Sequence, residues 1–262
     1  MKTCFLIFNF PRDYALAEAL HSPLRRGYAL AGEEIDFIWC VESRHAGVPV
    51  PEGVNLLVRD FNRGGSLKYT EALHAMAKIY AELGEQYDCI VKLDADTELM
   101  SPLAFTDYIA RGGDLAYIPH VDQRGTGNGC CYAMSGRAAR SLVRISPADF
   151  DHRAHHVGGR EDMFFTGAIA ANPAHYVCMV PRNRISFCGA REQPKHPIAV
   201  HLGYLSEEDI IKRLALFGLS VDKPSDSAYA QDVAAYCAAN NIEIPKQEIR
   251  FNLSGERLPD AK

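Results

Sequence analysis

Three places along this 262-residue chain carry side chains suited to chemistry. In the first, the apolar run Cys89-Ile90-Val91-Lys92-Leu93 ends in Asp94-Ala95-Asp96. Two carboxylates one residue apart at a strand end can address a divalent cation and a substrate hydroxyl together. Hard oxygen ligands suit Mg²⁺ or Mn²⁺, which can bridge phosphate oxygens. Acidic turns after strands are common, and either Asp could equally cap a loop or a helix. In the second, Gly158-Gly159 precedes Arg160-Glu161-Asp162 and an apolar helix-like stretch. The glycines permit a tight turn, and acidic residues suit a helix start. A carboxylate held there beside a cleft can act as a general base toward a hydroxyl. In the third, Pro197-Ile198-Ala199-Val200 reads as a short strand ending at His201. A neutral imidazole is a common metal ligand, although a lone histidine is more often a surface or core residue.

Other features are more ambiguous. Asp94-Ala95-Asp96-Thr97 also resembles the DxDxT nucleophile loop of haloacid-dehalogenase-type phosphatases, but there the loop follows a strand near the start of the domain. Here about ninety residues come first. Gly125-Thr126-Gly127-Asn128-Gly129 is a flexible approach to a strand, either bordering a ligand or forming a plain turn. His152, His155 and His156 lack the cysteines or carboxylates of a conventional zinc spacing and read as an acceptor-side loop. Asn9, Arg12 and Glu42 follow the first two apolar runs, where a nucleotide could be held.

The elements that must position these residues alternate. Apolar runs at 4–8, 35–41, 54–58, 87–93 and 114–119 suit buried strands. Helix-period segments lie between them at 12–30, with Pro23 expected to end the regular part, and at 66–84, stopped by Gly84. Further strands are expected at 129–134, 176–180, 185–188 and 198–200. Helices are expected at 136–144, 160–170, 206–217 and 228–239, with a loop at 221–227. This order predicts an α/β fold with a mostly parallel central sheet flanked by helices. Ligands of such sheets bind beyond the carboxyl ends of the strands, where Asp94, Asp96 and His201 fall.

Composition narrows the class. Hydrophobic residues make up 47% and charged residues 23%, which argues for an ordinary globular core rather than disorder or a coiled coil. With 28 basic and 33 acidic side chains the net charge is −5, so a globally basic nucleic-acid binder is disfavoured. No run approaches the ~18 apolar residues of an integral membrane segment. The first residues, Met1 to Phe8, read as a buried strand rather than a secretory signal. The eight cysteines contain no CxxC pair and read as small core residues of a reduced compartment. The expectation is a cytoplasmic protein, with a peripheral place at the inner face of the membrane as the variant.

The order of the three groups resembles that of metal-dependent GT-A glycosyltransferases, and over about residues 60–205 the β-1,3-galactosyltransferase and fringe group. Lys92-Leu93-Asp94-Ala95-Asp96 is similar to that group's Lys-x-Asp-Asp-Asp. Gly127-Asn128-Gly129-Cys130-Cys131-Tyr132-Ala133-Met134-Ser135 is similar to its Gly-Gly-Gly-Tyr-Val-Leu-Ser strand, and Glu161-Asp162-Met163-Phe164-Phe165-Thr166-Gly167 to its Glu-Asp-Val-x-x-Gly. Ser66-Leu67-Lys68-Tyr69-Thr70 sits loosely where the group has Leu-Thr-x-Lys. The middle Asp of the triplet is Ala95 here, and the group's membrane anchor and disulfides have no counterpart.

The resemblance implies a GT-A-like, Rossmann-like sheet and a hexosyltransferase using a nucleotide-sugar, most simply a UDP-sugar. It implies Mn²⁺ or Mg²⁺ held by Asp94, Asp96 and His201. Asp94 would also touch the donor. Asp162 would be the base of a single inverting displacement. Glu161, Lys68, Asn9, Arg12 and Glu42 are the remaining donor-side candidates. The acceptor would be a glycan, a lipid-linked saccharide or another hydroxyl. The catalytic domain is expected over 1–220, with 221–262 as a helical and polar extension of it. Two rival readings are the DxDxT-type phosphatase and a nucleotide- or carbohydrate-binding module without catalysis.

Overall fold

The computed structural model describes residues 1–61, 69–119, 127–157, 160–180, 185–186, 197–202, 207–217 and 228–242. The described strands are β1 (Thr3–Phe8), β2 (Ile35–Val41), β3 (Val54–Val58), β4 (Cys89–Leu93), β5 (Thr97–Leu99), β6 (Leu115–Pro119), β7 (Gly127–Ser135), β8 (Val177–Met179), β9 (Ile185–Ser186) and β10 (Ala199–His201). Seven of them form one sheet in the order β3-β2-β1-β4-β7-β6-β8. Only β7 runs against its neighbours β4 and β6, so the sheet is mostly parallel. A small second sheet has the order β5-β10-β9.

The strands are apolar on both faces because helices cover both. The described helices are α1 (Tyr14–Ala31), α2 (Tyr69–Gly84), α3 (Leu103–Ala110), α4 (Gly136–Ser141), α5 (Pro147–His156), α6 (Glu161–Ala170), α7 (Glu207–Leu216) and α8 (Ala228–Ala239). Side chains of a strand alternate between faces. Cys4, Leu6 and Phe8 therefore pack with α2, α4, α5 and α6. Phe5 and Ile7 pack with Tyr14 and Ala17 of α1, Phe105 of α3, and Val233 and Cys237 of α8. A third apolar cluster joins Leu16 and Leu20 of α1 to Val200, Leu202, Ile210 and Leu214, fastening the second sheet and α7 to the first layer.

Several expectations are corrected. The helix of residues 12–30 does not end at Pro23. It runs to Ala31 and stops at Gly32, whose φ of +70° makes the left-handed helix end that glycine favours. Leu24 and Tyr28, beyond the proline, pack on the same core as Tyr14 and Ala17, and this burial outweighs the lost hydrogen bond. The acceptor-side loop of His152, His155 and His156 is helix α5. Ser146 caps it by accepting from the Asp149 N–H at 3.2 Å, Pro147 opens it, and the three histidines are exposed. Strand β5 and helix α3 were not expected at all. The loop expected at 221–227 lies outside the described residues.

Candidate metal and active site

The turn that carries the two carboxylates is tied down through its backbone. Strand β4 ends at Leu93 and the chain reverses: the Thr97 N–H donates to the Asp94 carbonyl at 3.1 Å. The Asp94 N–H donates to the Cys130 carbonyl on β7 at 3.1 Å, and the Leu202 N–H donates to the Asp96 carbonyl at 3.0 Å. Strand β5 then pairs antiparallel with β10, setting Thr97 opposite His201. Pairing between strands far apart in sequence thus carries His201 to the acidic turn.

His201 Nε2 stands 3.6 Å from Asp94 Oδ2 and 3.4 Å from Asp96 Oδ1. Asp94, Asp96 and His201 each offer a ligand atom within 4.8 Å of the others, all three being half-buried. Two atoms bound about 2.1 Å from one ion at roughly right angles or slightly wider stand about 3.0–3.5 Å apart, so the spacing fits a shared divalent ion. Two carboxylates with one imidazole are a donor set that suits a divalent cation. Burial works to lower the His201 pKa, but the Asp96 and Asp94 carboxylates prevail and raise it. Burial raises the Asp96 pKa, against the pull of His201. The His201 shift is the sign of concentrated negative charge, and the Asp96 shift is first a sign of burial.

Lys92 joins this turn to the rest of the site. It points to the α2 and α6 side of β4 and is only 2% exposed. Its ammonium donates to Asp94 Oδ1 and to the Gly129 carbonyl, the latter at 2.6 Å. Glu161 Oε1, at the start of α6, lies 3.6 Å from the same nitrogen. Glu161 is thus a buried partner of Lys92. Asp162 is the neighbouring, half-buried carboxylate.

Helix α6 approaches β7 closely because β7 carries glycine where they meet. A Cβ on Gly129 would stand 3.1 Å from Asp162 Cβ and Oδ2, and one on Gly127 would stand 2.6 Å from Thr166 Cγ2. The Gly127 N–H donates to Thr166 Oγ1 at 2.6 Å, and that hydroxyl donates to the Asp162 carbonyl at 2.6 Å. A continuous chain of side chains and backbone therefore runs from Asp94 through Lys92 and Gly129 to Asp162.

The other expected residues are placed as follows. Asn9 follows β1 and is fully buried. Its N–H donates to the Cys40 carbonyl at 3.0 Å, and its Nδ2 has no acceptor among the described residues. Glu42 follows β2, is buried and pairs with Arg44 at 2.6 Å. Both lie on the same carboxyl edge as Asp94: β1 pairs parallel with β4, and β2 pairs parallel with β1. Arg12 falls in the 3-10 turn Pro11–Asp13. Lys68, Gly158 and Gly159 lie outside the described residues. Burial pushes the Cys40 and Cys89 thiols up to about 12, which suits inert core residues.

No protein-family profile matches the chain, and no curated protein sequence does. Among solved structures it is similar to mouse xyloside xylosyltransferase 1, with a TM-score of 0.50 at 12% identity. That likeness covers 76% of this chain and 97% of the other. The likeness is one of fold, a mixed α/β sheet flanked by helices. A second similar structure is a glycosyltransferase involved in the glycosylation of the major capsid of PBCV-1, with a TM-score of 0.45 at 13% identity, covering 82% of this chain and all of the other. On this fold, the carboxyl edge of the sheet carries Asn9, Glu42, Asp94 and Asp96, and His201 reaches them from the second sheet. Among the described residues no helix is long and apolar enough to cross a membrane.

Lys92 is the site residue that sequence reasoning left without a role. Its signal was present: a charged residue inside a five-residue strand that is otherwise apolar must find partners when the strand is buried on both faces.

Proposed function

We propose that this chain is a divalent-metal-dependent glycosyltransferase that moves a hexosyl unit from a nucleotide-sugar, most simply a UDP-sugar, to an acceptor hydroxyl. The observation that carries the reading is the convergence of Asp94, Asp96 and His201 at the carboxyl edge of a glycosyltransferase fold, joined through Lys92 to the start of α6. Asp94, Asp96 and His201 would hold Mn²⁺ or Mg²⁺. When bound, the ion supplies positive charge against the diphosphate that leaves. Asn9, Arg12 and Glu42 would bind the nucleotide, and Lys68 would reach the diphosphate. The acceptor would be a glycan, a lipid-linked saccharide or another hydroxyl compound. Residues 1–220 would form the catalytic domain and 221–262 its extension.

In the proposed reaction the acceptor oxygen bonds to the anomeric carbon as the bond from that carbon to the diphosphate oxygen breaks. Asp162 takes the hydroxyl proton, and the nucleoside diphosphate departs with the electron pair. The transition state is oxocarbenium-like, and a nearby carboxylate also favours it electrostatically. The motif likeness to the β-1,3-galactosyltransferase and fringe group supports a single displacement with inversion.

A thermal-shift panel of UDP, GDP, CDP and ADP tests this reading, each with and without Mn²⁺, on wild type and Asp96→Ala. At a hundred times its Kd a ligand stabilises by about 2.7 kcal/mol. One nucleotide should raise the melting temperature, and only when both the metal and Asp96 are present. No shift with any nucleotide would defeat the proposal.

A further inference from the structure

His21 lies on α1, away from every motif discussed above, and is 1% exposed. Its ring reaches β5, where Nε2 stands 3.0 Å from the Thr97 carbonyl oxygen. A carbonyl can only accept, so the ring proton sits on Nε2. Burial pushes the imidazole pKa down to about 4, which keeps the ring neutral near pH 7. An apolar side chain would fill this position at lower desolvation cost. The polar ring is compensated by what it binds.

The Thr97 carbonyl is a particular target. The Leu202 N–H bonds the Asp96 carbonyl, so Thr97 and His201 face each other as a non-hydrogen-bonded pair. Both backbone groups of Thr97 therefore point away from β10. Its N–H closes the turn onto Asp94, and its carbonyl takes His21. Without His21 the outer side of this edge strand would lose its hydrogen bond to α1 one residue after Asp96.

We propose that His21 is a positioning residue for the metal site, holding the Asp94–Asp96 turn from beneath through the Thr97 carbonyl so that both carboxylates meet His201. The inference rests on the reading of Asp94, Asp96 and His201 as metal ligands. It adds that α1, which starts beside the nucleotide-side residues Asn9 and Arg12, sets the geometry of the ion's ligands as well.

The test is Mn²⁺ affinity, read from the electron paramagnetic resonance signal of free Mn²⁺ as the full chain is titrated in with UDP. Wild type, His21→Leu, His21→Gln, His21→Asn and Asp96→Ala are compared. Substitutions behind a metal's ligands weaken affinity about 10–100-fold. His21→Leu should do so with an unchanged circular-dichroism spectrum. His21→Gln, whose amide nitrogen can take the place of Nε2, should return affinity to within about threefold of wild type. His21→Asn, too short to reach Thr97, should not. Wild-type affinity in His21→Leu, or equal losses in His21→Gln and His21→Asn, would overturn the role of His21. The Gln and Asn pair decides the matter even if the Leu variant fails to fold. Absence of Mn²⁺ binding by wild type, or full binding by Asp96→Ala, would instead overturn the metal reading, and this inference with it.

Discussion

Lys92 is the residue on which the site's charges balance. Asp94 and Glu161 both lean on its buried nitrogen. Replacing it by methionine keeps the length of the side chain but leaves two carboxylates without their cation. Removing one partner of a buried ion pair typically costs about 3–5 kcal/mol. Lys92→Met should therefore lower the unfolding free energy of the metal-free protein by that amount, read from urea unfolding, and added Mn²⁺ should restore more stability to it than to wild type. Asp162 belongs to the same scale but to a different property. Asp162→Asn keeps the shape and removes the proposed base, so turnover should fall about 10²–10⁴-fold while the UDP-dependent thermal shift stays as in wild type. Normal transfer rates in that variant would remove Asp162 as the base. The acidic residues were legible because carboxylates at strand and helix ends are conspicuous. That Lys92 needs partners was legible in its apolar strand, but which partners it finds was not, and His21 gave no sign at all, because both roles depend on what faces the side chain across the fold.

Among the elements, the contact between β7 and α6 sets how near Asp162 comes to the acidic turn. The helix rests on Gly127 and Gly129, with Thr166 bonded to the first. Gly127→Ala would place a methyl 2.6 Å from Thr166 Cγ2, so the helix must move outward. Overpacking of this kind costs about 1–3 kcal/mol. Gly127→Ala should lower both stability and transfer rate, and Thr166→Ser in the same chain should recover part of the stability in a double-mutant cycle. The long elements were legible from their periodicity: β2 and β3 occupy the expected residues, and α8 spans 228–239 as read. Strand β5 was not legible, since three residues show no period and its pairing partner lies about a hundred positions away. Helix α5 was overlooked although Ser146-Pro147 marks its start, because its histidines drew a loop reading.

Across the whole molecule the sheet has two differently built ends. The carboxyl edge gathers the groups assigned to chemistry, while the opposite end is fastened by Asp114. This carboxylate is 1% exposed and binds Arg137, Ser135 Oγ at 2.7 Å and the Tyr176 N–H at 3.0 Å. Burial alone would raise its pKa, but these donors together hold it below the ordinary carboxylate value. The sign follows directly. A depressed carboxylate adds stability above its unfolded-state pKa and loses it as pH falls through the folded-state value. Urea unfolding from pH 7 to pH 3 should show wild type more stable than Asp114→Asn at neutral pH, with the gap narrowing into the acid range. A gap that stays constant with pH would mean that the ion pair is not its source. The mostly parallel architecture itself was legible from the alternation of strands and helices. The reversal of β7 was not, because direction leaves no mark on an apolar run.

The small sheet also has a consequence in time. Asp94 and Asp96 leave the ribosome long before the residue that joins them, for His201 arrives only with β10, about a hundred residues later. Chains are synthesised at about 5–20 residues per second, so a nascent chain carries the acidic turn for roughly 5–20 seconds before the trio can close. A chain that has not yet reached His201 lacks one of the three proposed ligands, and metal capture through all three would wait for β10.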